Sequence, residues 1–232
     1  MSLKNKRILI TAGPTWVPID EVRVISNTAS GATGILLAQK LSRLGAKVTL
    51  VLGKKGDSAL EKGDSALFRA LSPFSLKGRC PLFKVIRFSF FDELKSIIAA
   101  ELKGGRYDAV IHSAAVSDYK PQKPLRRKIR SGLKHLRLDL VPTEKIIDSI
   151  KKRGRSLYLV GFKFEPSCSR AVLIKEAAAL AQRSRADLVV ANTTLNNAYR
   201  AYFVKGRESR GPMASKMEMA RQLCCVLKAV LK

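Results

Sequence analysis

The run Ile8-Leu9-Ile10-Thr11-Ala12-Gly13 is followed, only after seventeen further residues, by Gly31-Ala32-Thr33-Gly34 and a helical repeat. Apolar residues ending in Ala-Gly mark a buried parallel strand. Ile35, Leu36, Ala38, Leu41 and Leu44 then recur at helical spacing until Gly45 stops them. Residues 48–52 supply the next strand, so residues 8–52 form a βαβ unit. An ordinary dinucleotide fold turns from strand to helix through a tight G-x-G-x-x-G, which lets helix amides approach a pyrophosphate. A loop as long as this one, inside a compact unit, is functional rather than connecting. The second strand ends Val51-Leu52-Gly53-Lys54, with no carboxylate to hold an adenosine ribose, which weighs against an NAD oxidoreductase.

The same periodicities predict strands at 84–88, 109–113, 136–140, 157–162, 188–191 and 201–204. Helices are expected over 91–103, 143–152 and 170–185, with Thr143 as a cap, then a turn through 206–212 and a last amphipathic helix from Ser215. Such alternation predicts an α/β fold with a single doubly wound, mostly parallel sheet of Rossmann-like topology and a small antiparallel extension. At 232 residues and 46% hydrophobic content, residues 1–232 can bury the core of one domain. Lys55-Gly56-Asp57-Ser58-Ala59-Leu60 repeats as Lys62-Gly63-Asp64-Ser65-Ala66-Leu67, a period too short for a solenoid, so residues 53–80 read as a surface insertion.

No apolar run approaches the roughly 18 residues of a membrane span, and the one after Lys4, Lys6 and Arg7 is too short for a signal peptide. A cytoplasmic protein is expected. Cys80, Cys168, Cys224 and Cys225 form no C-x-x-C pair, and His112 and His135 lie far apart, so the cysteines read as reduced thiols and no metal site is expected. Forty-four basic against eighteen acidic residues give a formal charge of +26, which attracts polyanions of any kind. Aromatics are only 6% and no aromatic-interleaved basic stripe occurs, so no specific nucleic acid is expected.

The fourth strand ends in Ser113-Ala114-Ala115, small enough to let a substrate approach the backbone, or to pack beneath a helix. Asp118 follows, as a ligand or as the cap of a turn. From Lys120 to Arg137 there are eight basic residues and no acid, and Pro121 and Pro124 keep the first part out of helix. Residues 119–134 read either as a mobile lid or as a solvated basic face. In Val160-Gly161-Phe162, Gly161 permits backbone approach and Phe162 offers a stacking face, though a strand ending in Phe is often simply core.

Together these segments resemble the phosphopantothenoylcysteine synthetase (phosphopantothenate-cysteine ligase) family of coenzyme A biosynthesis. Its opening pattern, I-T-A-G-x-T-x-x-x-I-D-x-V-R-x-I-S-N-x-S-S-G-x-x-G, is matched from Ile10 to Gly34 except at Ala29, where a serine is usual. Ala114-Ala115-Val116-Ser117-Asp118-Tyr119 is similar to A-A-V-x-D-Y, Lys128-Ile129-Arg130 to K-I-K, Phe162 to Glu165 to F-x-x-E, and Ala186 to Asn192 to A-D-x-x-x-A-N. The resemblance implies a ligase that joins 4'-phosphopantothenate and L-cysteine through an acyl-nucleotide, releasing pyrophosphate. The implied co-substrate is CTP or ATP, CTP foremost, with Mg2+.

It further implies Asn27, Ala114, Ala115 and Asp118 around phosphopantothenate, and Gly13, Ser30, Gly31, Gly34, Ser113, Asp118, Lys128, Ile146, Phe162 and Asn192 around the nucleotide. Lys128 would be the activating cation and Asn27 would orient the acyl-nucleotide. Arg23 would reach into the neighbouring site of a homodimer. Glu144-Lys145 stands where the family carries Pro-Asp. Two family lysines are missing before Ala186, where Arg183 and Arg185 could replace them. Two other classes stay open. An NADP-dependent short-chain-type reductase needs a helical Tyr-x-x-x-Lys, but Tyr119 and Lys123 straddle Pro121. A basic nucleic-acid-binding module would rest on charge alone.

Overall fold

The computed structural model describes residues 2–54, 83–104, 106–154 and 156–232, so most of the inferred insertion lies outside the described residues. The chain begins with β1 (Arg7–Ala12), whose alternating apolar residues find cover on both faces of a sheet. It then forms a short hairpin, β2 (Trp16–Pro18) and β3 (Val24–Ser26), before α1 (Ala32–Arg43) and β4 (Lys47–Gly53). β5 (Lys84–Phe88), α2 (Phe91–Gly104) and β6 (Ala109–His112) follow, then β7 (Tyr119–Pro121) and β8 (Leu140–Pro142), which pair as a ribbon. The remainder is α3 (Ile146–Arg153), β9 (Tyr158–Phe164), α4 (Arg170–Ser184), β10 (Leu188–Leu195), β11 (Ala198–Lys205), β12 (Glu208–Met213) and α5 (Lys216–Val230).

The main sheet has eight strands in the order β12-β11-β10-β9-β6-β1-β4-β5. From β5 to β10 neighbouring strands run parallel, and β11 and β12 add the antiparallel extension. Period-2 alternation divides the core. Ile8 and Ile10 join Ile35, Leu37 and Leu41 of α1 and Leu223 and Leu227 of α5 on one face. Leu9 and Val110 join Leu94 and Ile98 of α2 and Ile150 of α3 on the other, while Leu173 and Ala177 of α4 cover Val189 and Ala191. Each such fully buried aliphatic side chain contributes on the order of 1.5–3 kcal/mol, before conformational entropy is set against it. The expected doubly wound sheet is therefore the observed one. It places the switch in strand order between β1 and β6, where ligands of open α/β sheets bind.

Three local expectations are corrected. Residues 136–139 are not a strand: pairing begins at Leu140, because Arg137 and Asp139 are exposed and bond each other instead. Residues 208–213 are a strand rather than part of a turn, since β12 is the sheet's edge and an edge tolerates Pro212. Thr143 does not cap α3. Lys145 occupies that position without a side-chain cap, and the Thr143 hydroxyl donates to the Ser117 carbonyl at 2.6 Å. Among the described residues, Cys168, Cys224 and Cys225 are free thiols, and no helix is long and apolar enough to cross a membrane.

The hairpin is tied to the basic segment by Asp20, which is only 4% exposed. Its carboxylate accepts from the amides of Ile129 (3.0 Å), Val22 (2.8 Å) and Arg23 (2.7 Å) and from the Arg23 guanidinium (2.6 Å). The Ile129 amide above all, then those of Val22 and Arg23, holds this carboxyl well below the usual carboxylate range, and burial opposes them. A carboxyl with a depressed folded pKa stabilises the protein above its unfolded value of about 3.9 and loses that contribution as pH falls through the folded value. Asp20→Asn is therefore expected to lower the Tm at pH 7. The gap from the parent protein should narrow in melts taken below about pH 4.

Candidate functional site

Beyond the carboxyl ends of β1, β6, β9 and β10 lies a cleft of about 880 Å³. Its two central walls separate where β1 and β6 end, and backbone bonds keep them in register. The Ala115 amide donates to the Gly13 carbonyl at 2.9 Å, the Thr15 amide to the Ala115 carbonyl at 3.2 Å, and the Ser113 hydroxyl to the Thr11 carbonyl at 2.7 Å. Behind the wall a buried hydroxyl network joins three loops. Thr15 Oγ1 lies 3.0 Å from Ser117 Oγ and accepts from the Ser117 amide at 2.8 Å, and Ser117 in turn accepts from Thr143.

The glycines make room for this approach. Gly13 has φ +82°, and a Cβ there would sit 3.0 Å from the backbone of Gly53. At Gly34 a Cβ would lie 2.4 Å from Ala12 Cβ, so only glycine lets α1 pack directly on β1. The start of α1 carries no acidic residue in its first turn and no side-chain cap at Gly31, although Ser30 Oγ accepts from the Ala32 amide at 3.3 Å. Its free amides and positive end suit an anion at the cleft wall.

Gly13, Asn27, Ser30, Gly31 and Gly34 line this cleft together with Ser113, Ala114, Ala115 and Asp118. Ile146, Phe162, Asn192 and Arg183 line it from the side of α3 and α4. Asn27 bridges the walls, its Nδ2 donating to the Ala115 carbonyl at 3.0 Å. Arg23, Lys128 and Arg185 are not brought to the cleft. Arg23 is held by Asp20 of its own chain and reaches the Ile129 carbonyl at 3.4 Å, and Lys128 is exposed in the segment beside it. Tyr119 lies in β7 with Lys123 beyond its end, so the helical pair of a short-chain reductase does not form.

Sequence reading missed several cleft residues, among them His112, Lys145, Lys163 and Lys216. Lys145 pairs with Asp118 at 2.5 Å, and Glu144, its neighbour, turns to Lys95 at 2.7 Å. Lys163 bonds Glu165 at 2.7 Å and approaches Glu176 at 3.7 Å. Burial works against its charge, but the bond to Glu165 and the surrounding carboxylates outweigh it and hold the ammonium above its ordinary range. A lysine following V-G-F at a strand end was the available signal. His112 is 7% exposed, and burial lowers its pKa to about 4.

A histidine whose folded pKa is depressed stabilises the protein above its unfolded value. Between pH 6.5 and 4 the unfolded chain binds a proton that the native ring refuses. Stability should fall over that window by up to about 3 kcal/mol. His112→Gln is expected to remove this component, read as a flatter plot of unfolding free energy against pH.

The family model described as DNA/pantothenate metabolism flavoprotein C-terminal domain matches residues 3–65 and 79–230. The coenzyme A biosynthesis bifunctional protein CoaBC of Thermococcus kodakarensis is 34% identical over 226 residues, covering 96% of this chain and 51% of that protein. The chain thus spans about half the length of the curated relatives it matches. The DNA/pantothenate metabolism flavoprotein of Streptococcus pneumoniae superposes with a TM-score of 0.78 at 24% identity, covering 97% of this chain and 99% of that one. A Cab2 mutant in complex with phosphopantothenate-cysteine gives 0.72 at 18% identity, covering 98% and 88%. These two likenesses concern the fold. By the extent of the family match and by its identity to CoaBC, the chain belongs to the DNA/pantothenate metabolism flavoprotein C-terminal domain family, the phosphopantothenoylcysteine synthetase family that its motifs resemble.

Proposed function

We propose that this chain, as one domain, joins 4'-phosphopantothenate to L-cysteine at the expense of a nucleoside triphosphate. One observation carries the reading: the glycines of the β1–α1 loop and the Ala114-Ala115 pair converge on a single cleft that also holds the uncapped start of α1. A triphosphate and a carboxylic acid can meet there. A carboxylate does not react with an amine until it carries a leaving group. Its oxygen attacks the α-phosphorus, the bond to the bridging oxygen breaks, and pyrophosphate departs. The cysteine amine then attacks the acyl carbon and expels the nucleoside monophosphate.

The residues contribute by position and charge. Amides at the start of α1 take phosphate oxygens, Phe162 offers a face to the base, and Ser113, Ile146 and Asn192 bound the nucleotide. Ala114 and Ala115 let phosphopantothenate lie against the backbone, with Asp118 and Lys145 at its edge. Among the described residues no group of three or more His, Cys, Asp or Glu side chains is arranged to hold a metal ion. The cleft carboxylates are engaged by lysines, so a Mg2+ would be held chiefly by the triphosphate, whose charge it would offset.

Lys128 acts as the activating cation when residues 119–134 fold over the bound nucleotide. The enzyme works in the cytoplasm as a homodimer in which Arg23 completes the neighbour's cleft, and CTP is preferred to ATP. The deciding assay supplies phosphopantothenate, cysteine, Mg2+ and either CTP or ATP, and follows pyrophosphate. Saturable, cysteine-dependent release is expected, and its absence with every triphosphate overturns the reading. Lys128→Gln should slow release by about 100-fold or more, since it removes a point charge from the transition state. Unchanged release would leave Lys128 as a surface residue.

A further inference from the structure

Deepening the ligase reading and resting on it, we propose that His112 is a specificity residue whose Nε2–H hydrogen-bonds an uncharged carbonyl oxygen of a bound substrate. The ring stands at the carboxyl end of β6, in register with Thr11 on one side and Gly161 on the other, and lines the cleft. Gly161 contributes no side chain there, and the space around it is walled by Ile147, Leu180 and Val189. The imidazole thus stands beside a position faced by apolar side chains, of which Ile147 and Leu180 line the same cleft.

Its tautomer follows from Thr11. That side chain is fully buried, its Oγ1 accepts from the Ala114 amide at 3.4 Å, and it lies 2.9 Å from His112 Nδ1. The hydroxyl proton needs an acceptor, and Nδ1 is the one that the described residues supply. Nδ1 therefore accepts, and the ring proton resides on Nε2. Burial keeps the ring neutral. No described protein group bonds Nε2, so a donor in the cleft wall is left for a ligand. Phosphate and carboxylate charges have another partner in the amides at the start of α1, which line the same cleft. A neutral donor beside apolar side chains matches a neutral acceptor. Two sources carry one: the amide of phosphopantothenate and the ring carbonyl of a nucleobase.

The test uses the full chain labelled with 15N-histidine. It has two histidines, and His135→Gln assigns the signals. At pH 7 His112 should show the neutral Nε2-protonated pattern. Calorimetry then measures Mg-CTP alone and phosphopantothenate alone, neither of which can turn over without the other. His112→Phe should weaken one of the two by about 5- to 30-fold, the loss of a single buried hydrogen bond. The ligand affected identifies the carbonyl. His112→Gln, whose amide reaches the Nε2 position, should restore affinity to within about threefold. An Nδ1-protonated or cationic ring at pH 7 overturns the proposal, as does unchanged affinity for both ligands in the Phe variant or a Gln variant no better than Phe. If the parent protein binds neither ligand, the ligase reading falls as well. Intact binding with indifferent variants removes only the role of His112.

Discussion

Replacing Asn27 by aspartate is expected to cut formation of phosphopantothenoylcysteine by about 100-fold or more, while the activated intermediate accumulates. Asn27 leaves the β3 strand at the cleft mouth and donates its amide to the Ala115 carbonyl, which also receives the Thr15 amide. Aspartate offers no donor. It sets a negative oxygen against that carbonyl, in a cleft that must also hold phosphates and a carboxylate. Acyl-nucleotide formation depends mainly on the α1 amides and on cations, so one round of pyrophosphate release should persist. Delivery of the acyl group to cysteine should not. Rapid quenching with labelled phosphopantothenate separates the two steps. Asn27→Ala, which loses the bond without adding charge, should do less damage. Product formation at the parental rate in the aspartate variant would remove Asn27 from the reacting geometry.

Gly34→Val should be the most disruptive single change to the site's framework. The first added carbon already lies 2.4 Å from Ala12 Cβ and 3.1 Å from the Ser113 hydroxyl, and two methyls follow. Ala12 is buried in β1, so the helix must retreat. Overpacking of this kind costs about 3 kcal/mol. For a chain of this size that corresponds to a Tm lowered by roughly 6–12 °C. Displacing the α1 amides by about 1 Å should also weaken productive nucleotide binding by on the order of 100-fold. The cause can be isolated. Gly34→Ala should be rescued in large part by Ala12→Gly, which removes the opposing methyl. A melt showing no rescue would place the strain elsewhere.

The central strands and helices were legible because their apolar residues repeat with the period of the structure they form. β1, α1, β4, β5, α2 and β6 fall within a residue or two of expectation. The hairpin of Trp16–Pro18 and Val24–Ser26 was not, since three-residue strands are too short to display an alternation and the first carries a proline. β12 was hidden by Gly211-Pro212, which signals a turn unless one knows that the strand lies at an edge. In the site, small residues were readable because glycine and alanine mark where a side chain cannot fit. Lys145, Lys163, Lys216 and His112 were not, because their nearness depends on which strand ends meet. The family resemblance pointed to Arg23 and Lys128, yet in the single chain both stand outside the cleft wall.

The hydroxyl brace of Thr15, Ser117 and Thr143 fastens the loops behind the cleft to one another. Walls riveted in this way cannot gape independently, and the receptor is ready-made before any guest arrives. Little ordering of these braced loops accompanies docking, so apart from the closure of residues 119–134 the heat-capacity change should track the area a guest covers rather than a coil-to-fold transition.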